Sequence, residues 1–230
     1  MNTKKSILLV SGITIALILI VYACKDKTTK ATNDVSVVAS VLDGSGEIYL
    51  VDTTNSTIEW IGSTPGNYKH NGTIKLTNGQ FTVNNDQLIS GRFTININSI
   101  SNLDQTGKDK TNLEGHLKNE DFFEVGKFPF GNFEITEIKN DSTGQKAVGN
   151  LTLKEKTNSI EIPVTIKIDE KFISAESATF SIDRTKWGIV YNSGIIGTIK
   201  DDLINDEIQL KLKIVAEKSK LKPRSNTGNE

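Results

Sequence analysis

The side chains best suited to chemistry are two histidines, a few cations and one cysteine, and their numbers narrow what they can do. With 2 His and 1 Cys in 230 residues, neither a three-histidine metal site nor a zinc site of several cysteines can form. No metal and no cofactor is expected. His70 and His116 have the side chain suited to proton transfer or ligation. The plainer expectation is a structural hydrogen bond at each, His70 beside a turn and His116 within a helix. Glu120 and Asp121 are sequence neighbours, which do not face each other on a helix, so they make no obvious acid–base pair. Ser63, Ser99 and Ser181 stand in no Gly-x-Ser-x-Gly elbow, and no phosphate-cradling Gly-x-x-x-x-Gly-Lys loop occurs. Lys118, Arg184 and Lys186 are candidates to hold an anionic group, since the arginine fork matches a phosphate. The competing expectation is an ion pair with a neighbour such as Asp121 or Asp183. No catalytic set assembles from these residues.

The lone cysteine is read by its position. Lys4 and Lys5 precede an apolar stretch from Ile7 to Ala23, and Cys24 follows at once, with Lys25, Asp26 and Lys27 behind it. A basic start, an apolar run and a small residue before a cleavage point make a secretory signal. Val21-Tyr22-Ala23-Cys24 resembles the bacterial lipobox, which implies that Cys24 is lipidated. The competing reading is an uncleaved membrane anchor, because about 20 apolar residues span a bilayer. Either way the folded part is expected outside the cytoplasm. As a lipoprotein it would be membrane-anchored in the cell envelope, on the periplasmic face or in the outer membrane. Lys plus Arg is 27 and Asp plus Glu 28, a balance that argues against a nucleic-acid surface spread over the protein.

Those side chains must be positioned by the segments between them. Residues 24–46 read as a tether and 218–230 as a polar tail, which leaves one domain over 47–217. Its dominant signal is period-two alternation. Ile160, Ile162, Val164, Ile166 and Ile168 alternate with polar residues or Pro163. Ile208 to Ile214 and Phe93 to Ile97 do the same. Each run offers one apolar and one wet face, the mark of antiparallel strands over a core. Turns are expected at Asn71-Gly72, Asn78-Gly79, Asp141 to Gly144, Glu155 to Asn158 and Asp169-Glu170. The last is followed by a strand over Phe172–Ile182. About eight strands result, as in an up-and-down barrel or sandwich. Asn112 to Phe123 breaks the alternation. Leu113, His116 and Leu117 share a helical face, so a short helix is expected there, capped by Asn112 behind a polar loop from Ser101 to Thr111. The inward aromatics are Trp60, Phe81, Phe93, Phe133 and Phe180. Alternation alone does not separate a filled interior from a hollow one, and composition favours a filled one.

Several ordered pieces then resemble one family. They are Tyr49-Leu50-Val51-Asp52 leading to Trp60, His70-Asn71-Gly72-Thr73, and His116-Leu117-Lys118 with Asp121-Phe122-Phe123, Phe128-Pro129 and Phe133. Gly149 to Leu153 and Ser181 to Gly188 complete the set, Trp187 included. Together they resemble the YceI-like family of bacterial extracytoplasmic proteins over about Tyr49 to Ala216. The chain departs from the family pattern at Glu155-Lys156, where a Gly and an apolar residue are usual. The resemblance implies an all-β, roughly eight-stranded lipocalin-like barrel, with the short helix covering one end. It implies an apolar tunnel for an isoprenoid quinone, a polyprenyl phosphate or a fatty-acid-like chain, and no catalytic residues. The expected cavity residues are Trp60, Phe81, Phe93, Phe133, Phe180 and Trp187, with His70, His116, Lys118 and Arg184 near the mouth. Two other readings stay open: an envelope interaction module with a filled barrel, and a hydrolase-type enzyme using His116 or His70.

Overall fold

Ten β-strands and one α-helix carry the alternation into three dimensions in a computed structural model that describes residues 46–66, 68–197 and 203–220. The segments read as signal, lipidated Cys24 and tether up to residue 45 lie outside the described residues, as does the tail from 221. The strands are β1 (Glu47–Val51), β2 (Thr57–Ser63), β3 (Lys69–Asn84), β4 (Gln87–Asn102), β5 (Phe130–Asp141), β6 (Gly144–Leu153), β7 (Lys156–Ile168), β8 (Phe172–Ser177), β9 (Phe180–Asp183) and β10 (Glu207–Lys218). Every pairing is antiparallel.

The sheet closes on itself. β10 pairs with β2 and then β1 along one edge, and with β9 and then β8 along the other. β1 and β2 both pair with β3, so they form one broken stave, as do β8 and β9 between β7 and β10. The result is a closed ring of eight staves. Each break is mended by a buried serine. Ser56 Oγ accepts the Val215 N–H at 3.0 Å, and Ser177 Oγ accepts the Leu212 N–H at 2.8 Å. The expected single strand over Phe172–Ile182 is therefore two, parted where the Ala178 N–H leaves the ladder for the Pro163 carbonyl. Every stave is paired on both edges within residues 47–218, so this segment carries its own core and has the makings of an independently folding unit.

Antiparallel order puts the β2–β3, β4–β5, β6–β7 and β9–β10 connections at one end. The opposite end has the β3–β4, β5–β6 and β7–β8 turns and the entry and exit of the chain. Two of the expected turns are not turns. Asn71-Gly72 and Asn78-Gly79 lie inside β3. Their glycines are there because a side chain has no room: a Cβ on Gly72 would clash with the Ser101 carbonyl and sit 2.6 Å from the Trp60 ring, and one on Gly79 would sit 2.7 Å from Phe93. The tight turns fall instead at Asn85-Asp86 (φ 49° and 58°) and at Lys154-Glu155 (φ 46° and 59°). Both central residues have the positive φ that a two-residue hairpin favours. Lys156, Thr157 and Asn158, expected in a connection, are already strand. Asp141 to Gly144 and Asp169-Glu170 do turn the chain.

The helix, α1, spans Gly107–Lys118, starting five residues before the expected one and ending at Lys118 rather than Phe123. Thr106, not Asn112, occupies its cap position, without a side-chain cap bond. Gly107, at φ 56°, turns the chain into the helix. The polar stretch read as loop forms its first turns, because what fixes α1 is docking of its last two turns on the ring.

Candidate functional site

The inward faces of the staves do not meet in the middle. They enclose a cavity of about 430 Å³, within the size range of small-molecule sites. Its walls are aliphatic and aromatic. Trp60, Phe81, Phe93, Phe133, Phe180 and Trp187, the expected cavity residues, all line it. Long alternating runs on β4, β7 and β10 fill in between, including Ile95, Ile162, Ile166 and Leu210. Phe93 stands between Phe81 (edge-on, centroids 5.0 Å apart) and Phe133 (stacked, 6.3 Å) and makes one aromatic band across three staves.

The composition-based expectation of a filled interior is thus overturned at one end only. At the end where the chain enters, Tyr49, Val83, Ile173 and Ala216 are each at most 1% exposed, and none lines the cavity. There Tyr49 fills the bore and its hydroxyl donates to the Asp169 carbonyl at 3.0 Å. Burial pushes its phenol pKa up, opposed by the Lys218 charge.

At the other end the rim is a polar network that holds α1. Asn102, fully buried, is its hub. Its amide Nδ2 donates to Asp104 Oδ1 at 2.6 Å and to the Asn71 carbonyl at 3.1 Å. Its Oδ1 accepts the Gln105 N–H at 2.9 Å, and its own N–H donates to Glu114 Oε1 on α1 at 2.8 Å. Burial pushes the Asp104 carboxyl up, but the Asn71 N–H, His70 and Asn102 outweigh it and hold the carboxyl below the usual range. Glu114 behaves alike, held down against burial by the Asn102 N–H, the Ser101 hydroxyl and then Lys110 and Lys118. Leu113 and Leu117 of α1, with Phe122 and Phe123 beyond it, close over the cavity.

The residues expected near the mouth separate into three groups. His70 does line the cavity, with Nδ1 2.8 Å from Asp104 Oδ2. His116 and Lys118 do not line it, which corrects their expected place. Of the face expected from Leu113, His116 and Leu117, only the two leucines point into the cavity. His116 instead joins α1 to the following loop, with Nε2 3.0 Å from Asp121 Oδ2 and its ring edge-on to Phe122 and Tyr191. Lys118 is half-buried beside Glu114. Arg184 reaches the cavity wall but is not free to grip an anion. It is 3% exposed and donates to the carbonyls of Ile189 (2.9 Å), Ile204 (3.0 Å) and Asn205 (3.2 Å), and to Asp206 (3.3 Å). Its ion-pair partner is Asp206, not Asp121 or Asp183 as expected. Burial lowers its pKa, opposed by the charges of Asp206 and Asp183. Arg184 ties the β9–β10 connection to the ring. Lys186 is exposed.

Sequence reading missed Tyr68 and Ile204 at the rim and the Asn102 hub. It also missed the state of Trp60, whose indole Nε1 is buried without a hydrogen-bond partner. That costs about 1–3 kcal/mol while it stays unpaired. Among the described residues no cluster of His, Cys, Asp and Glu is arranged to hold a metal.

Comparison with known proteins agrees with this geometry. Residues 49–216 match the family described as the YceI-like domain. A UPF0312 protein of Yersinia enterocolitica is 35% identical over 71 residues, 31% of this chain and 35% of the relative. One of Yersinia pestis is 34% identical over the same length and shares. The alignments thus span about a third of these curated relatives. Among solved structures, Burkholderia cenocepacia BcnA is similar, with a TM-score of 0.58 at 20% identity over 72% of this chain and 99% of that one. A polyisoprenoid binding domain from Saccharophagus degradans gives 0.53 at 12% identity, over 74% and 98%. At such identities the two structures speak for the fold alone.

Proposed function

The chain belongs to the YceI-like domain family, and from that premise we propose that its ring carries one long apolar molecule, an isoprenoid or a similar hydrocarbon chain, outside the cytoplasm. The observation that carries this reading is the cavity itself, about 430 Å³ walled by hydrocarbon and aromatic side chains. Removing ligand hydrocarbon from water into such walls contributes roughly 25 cal/mol per Å² buried. A domain similar in fold is described as polyisoprenoid binding, which supports the ligand class. Carriage, storage or protection of the chain is the role this geometry suits. Cys24 behind its apolar segment supports anchoring to a membrane by lipid, with the ring held at its surface by residues 24–46.

Binding, not catalysis, is the activity we infer. His70 and His116 each commit a ring nitrogen to a carboxylate on the rim or the cover, and among the described residues neither pair is hydrogen-bonded to a serine, threonine or cysteine nucleophile. The filled-interior alternative is disfavoured by the cavity. The test is native mass spectrometry of the chain from Lys25 onward. The reading predicts an added mass, released on denaturation, whose organic extract contains a hydrocarbon-chain compound. Clean apo protein, unchanged after incubation with prenyl alcohols, quinones and polyprenyl phosphates, contradicts it.

A further inference from the structure

The cavity ends at a boundary that follows the strand register. Ile166 on β7, Ala175 on β8 and Ile214 on β10 pair across three neighbouring staves, and all three line it. One step further toward the closed end Ile168, Ile173 and Ala216 pair in the same way, and none of them lines it. On β3 the same limit falls at Phe81, which lines the cavity, while its cross-strand partner Tyr49 on β1 does not. Tyr49 is 1% exposed and tied through its hydroxyl to the Asp169 carbonyl in the β7–β8 turn, so the bore is blind on this side.

The polar residues of the lining belong to the other end. Ser63 and Thr64 stand at the end of β2, His70 at the start of β3, and Arg184 directly after β9. Tyr68 both lines the cavity and is 61% exposed, so the cavity meets solvent beside it, at the β2–β3 connection. An amphiphile matched to this polarity keeps its polar group at that mouth and its tail against the floor, because a polar group buried in a hydrocarbon floor forfeits its hydration. A blind bore also limits the tail. A methylene takes about the room of a water molecule, roughly 30 Å³, so a cavity of about 430 Å³ holds on the order of 14 carbons. Each carbon buried adds to affinity, and each carbon left beyond the mouth adds little.

We propose that the ring measures chain length: a ligand enters tail first beside Tyr68, its tail stops at the floor of Ile166, Ala175 and Ile214 backed by Tyr49, and chains of about three isoprene units, or acyl chains of similar length, are taken whole. Longer chains leave their remaining carbons outside the mouth. This rests on the reading of the cavity as the seat of an apolar chain.

Primary alcohols from octanol to octadecanol test it on the chain from Lys25 onward. Trp60 and Trp187 line the cavity, so tryptophan fluorescence reports its occupation. Affinity is expected to rise about fourfold per added methylene and to flatten near tetradecanol. Ala175→Leu raises the floor and brings the plateau two or three carbons earlier, a shift that a mere solubility limit would not show. Tyr49→Leu lowers the floor and moves the plateau to longer chains; if that variant does not fold, Ala175→Leu carries the test alone. Methyl NMR gives a readout independent of affinity. Cross-relaxation from the terminal methyl of tetradecanol is expected at Ile166 and Ile214, and from its hydroxyl-bearing carbon at Ile204 on the rim. Affinity that climbs at an unchanged slope through octadecanol, a plateau that Ala175→Leu does not move, or the reverse set of NMR contacts overturns the chain-length measure and leaves the cavity reading standing. If no alcohol binds, the cavity reading falls and the measure with it.

Discussion

The two ends of the ring use the same strand alternation to opposite effect. Where the chain enters and leaves, Tyr49 fills the bore, Val83, Ile173 and Ala216 pack around it, and short turns such as Asn85-Asp86 join the staves. At the far end two of the connections are long and carry α1 and two short 3-10 helices, Arg184–Trp187 and Gly194–Ile196. The inward side chains there stand around a cavity, and the rim is held by hydrogen bonds of Asn102 and Arg184. Alternation therefore specifies a closed apolar interior but not its filling. Filling is decided by whether a large side chain such as Tyr49 crosses the axis. Stability is concentrated at the packed end and recognition at the open one, so mutations at the two ends are expected to separate the two properties.

The largest effect is expected at the packed end. Tyr49→Ala removes the plug and its bond to Asp169, and destabilises by about 3–5 kcal/mol, as for other buried aromatics. Chemical denaturation measures it, and a cost under about 1 kcal/mol would break the contrast between the ends. Asn102→Ala comes next, at about 1–3 kcal/mol, because it strands the Gln105 N–H and takes from the Asn71 carbonyl one of its two donors, the Leu103 N–H remaining. Amide exchange is expected to quicken in α1 and to stay slow around Ile173, whereas uniform quickening would mean that the rim is not a separate unit. Ala175→Phe projects a ring into the cavity. It is expected to weaken binding of a long prenyl alcohol at least tenfold while shifting stability by no more than about 1 kcal/mol, less than the usual cost of overpacking a filled core. A loss of 3 kcal/mol would show the wall to be tightly packed there.

The smallest effect is on pH. Asp104 and Glu114 are held below their ordinary values in the folded rim. The unfolded chain therefore takes up protons first as pH falls. Their contribution is complete above about pH 5 and is lost as pH drops through the folded values, below the usual carboxylate range. Glu114→Gln is expected to flatten the acid limb of the stability curve. An unchanged limb would place the acid sensitivity elsewhere.

Much of the wall was legible in the sequence, because one residue in two along β4, β7 and β10 declares its face. The six aromatics assigned to the interior do line the cavity. The two Asn-Gly pairs misled, since a glycine under a ring from the next strand looks locally like a turn. Only the cross-strand pairings, Trp60 with Gly72 and Phe93 with Gly79, distinguish the two. Arg184 offered an open fork on paper, but its acceptors come from a connection about 20 residues on. Spacing along the chain does not show that return. His116 and Lys118 were placed at the mouth by neighbouring motif residues, while the docking of α1 turns Leu113 and Leu117 inward instead. The free indole of Trp60 has no local signature, because it is defined by the absence of a partner in the folded wall.

The ring is hollow at its open end and packed at its closed one, and methyl NMR can tell the two ends apart. Deuterated protein with labelled isoleucine methyls would be titrated with unlabelled geranylgeraniol. Cross-relaxation from the ligand chain is predicted at Ile97, Ile162 and Ile166, which line the cavity, and not at Ile173, which is fully buried outside it. Contacts to Ile173 of equal strength, or binding with no contact to any cavity methyl, would contradict the account.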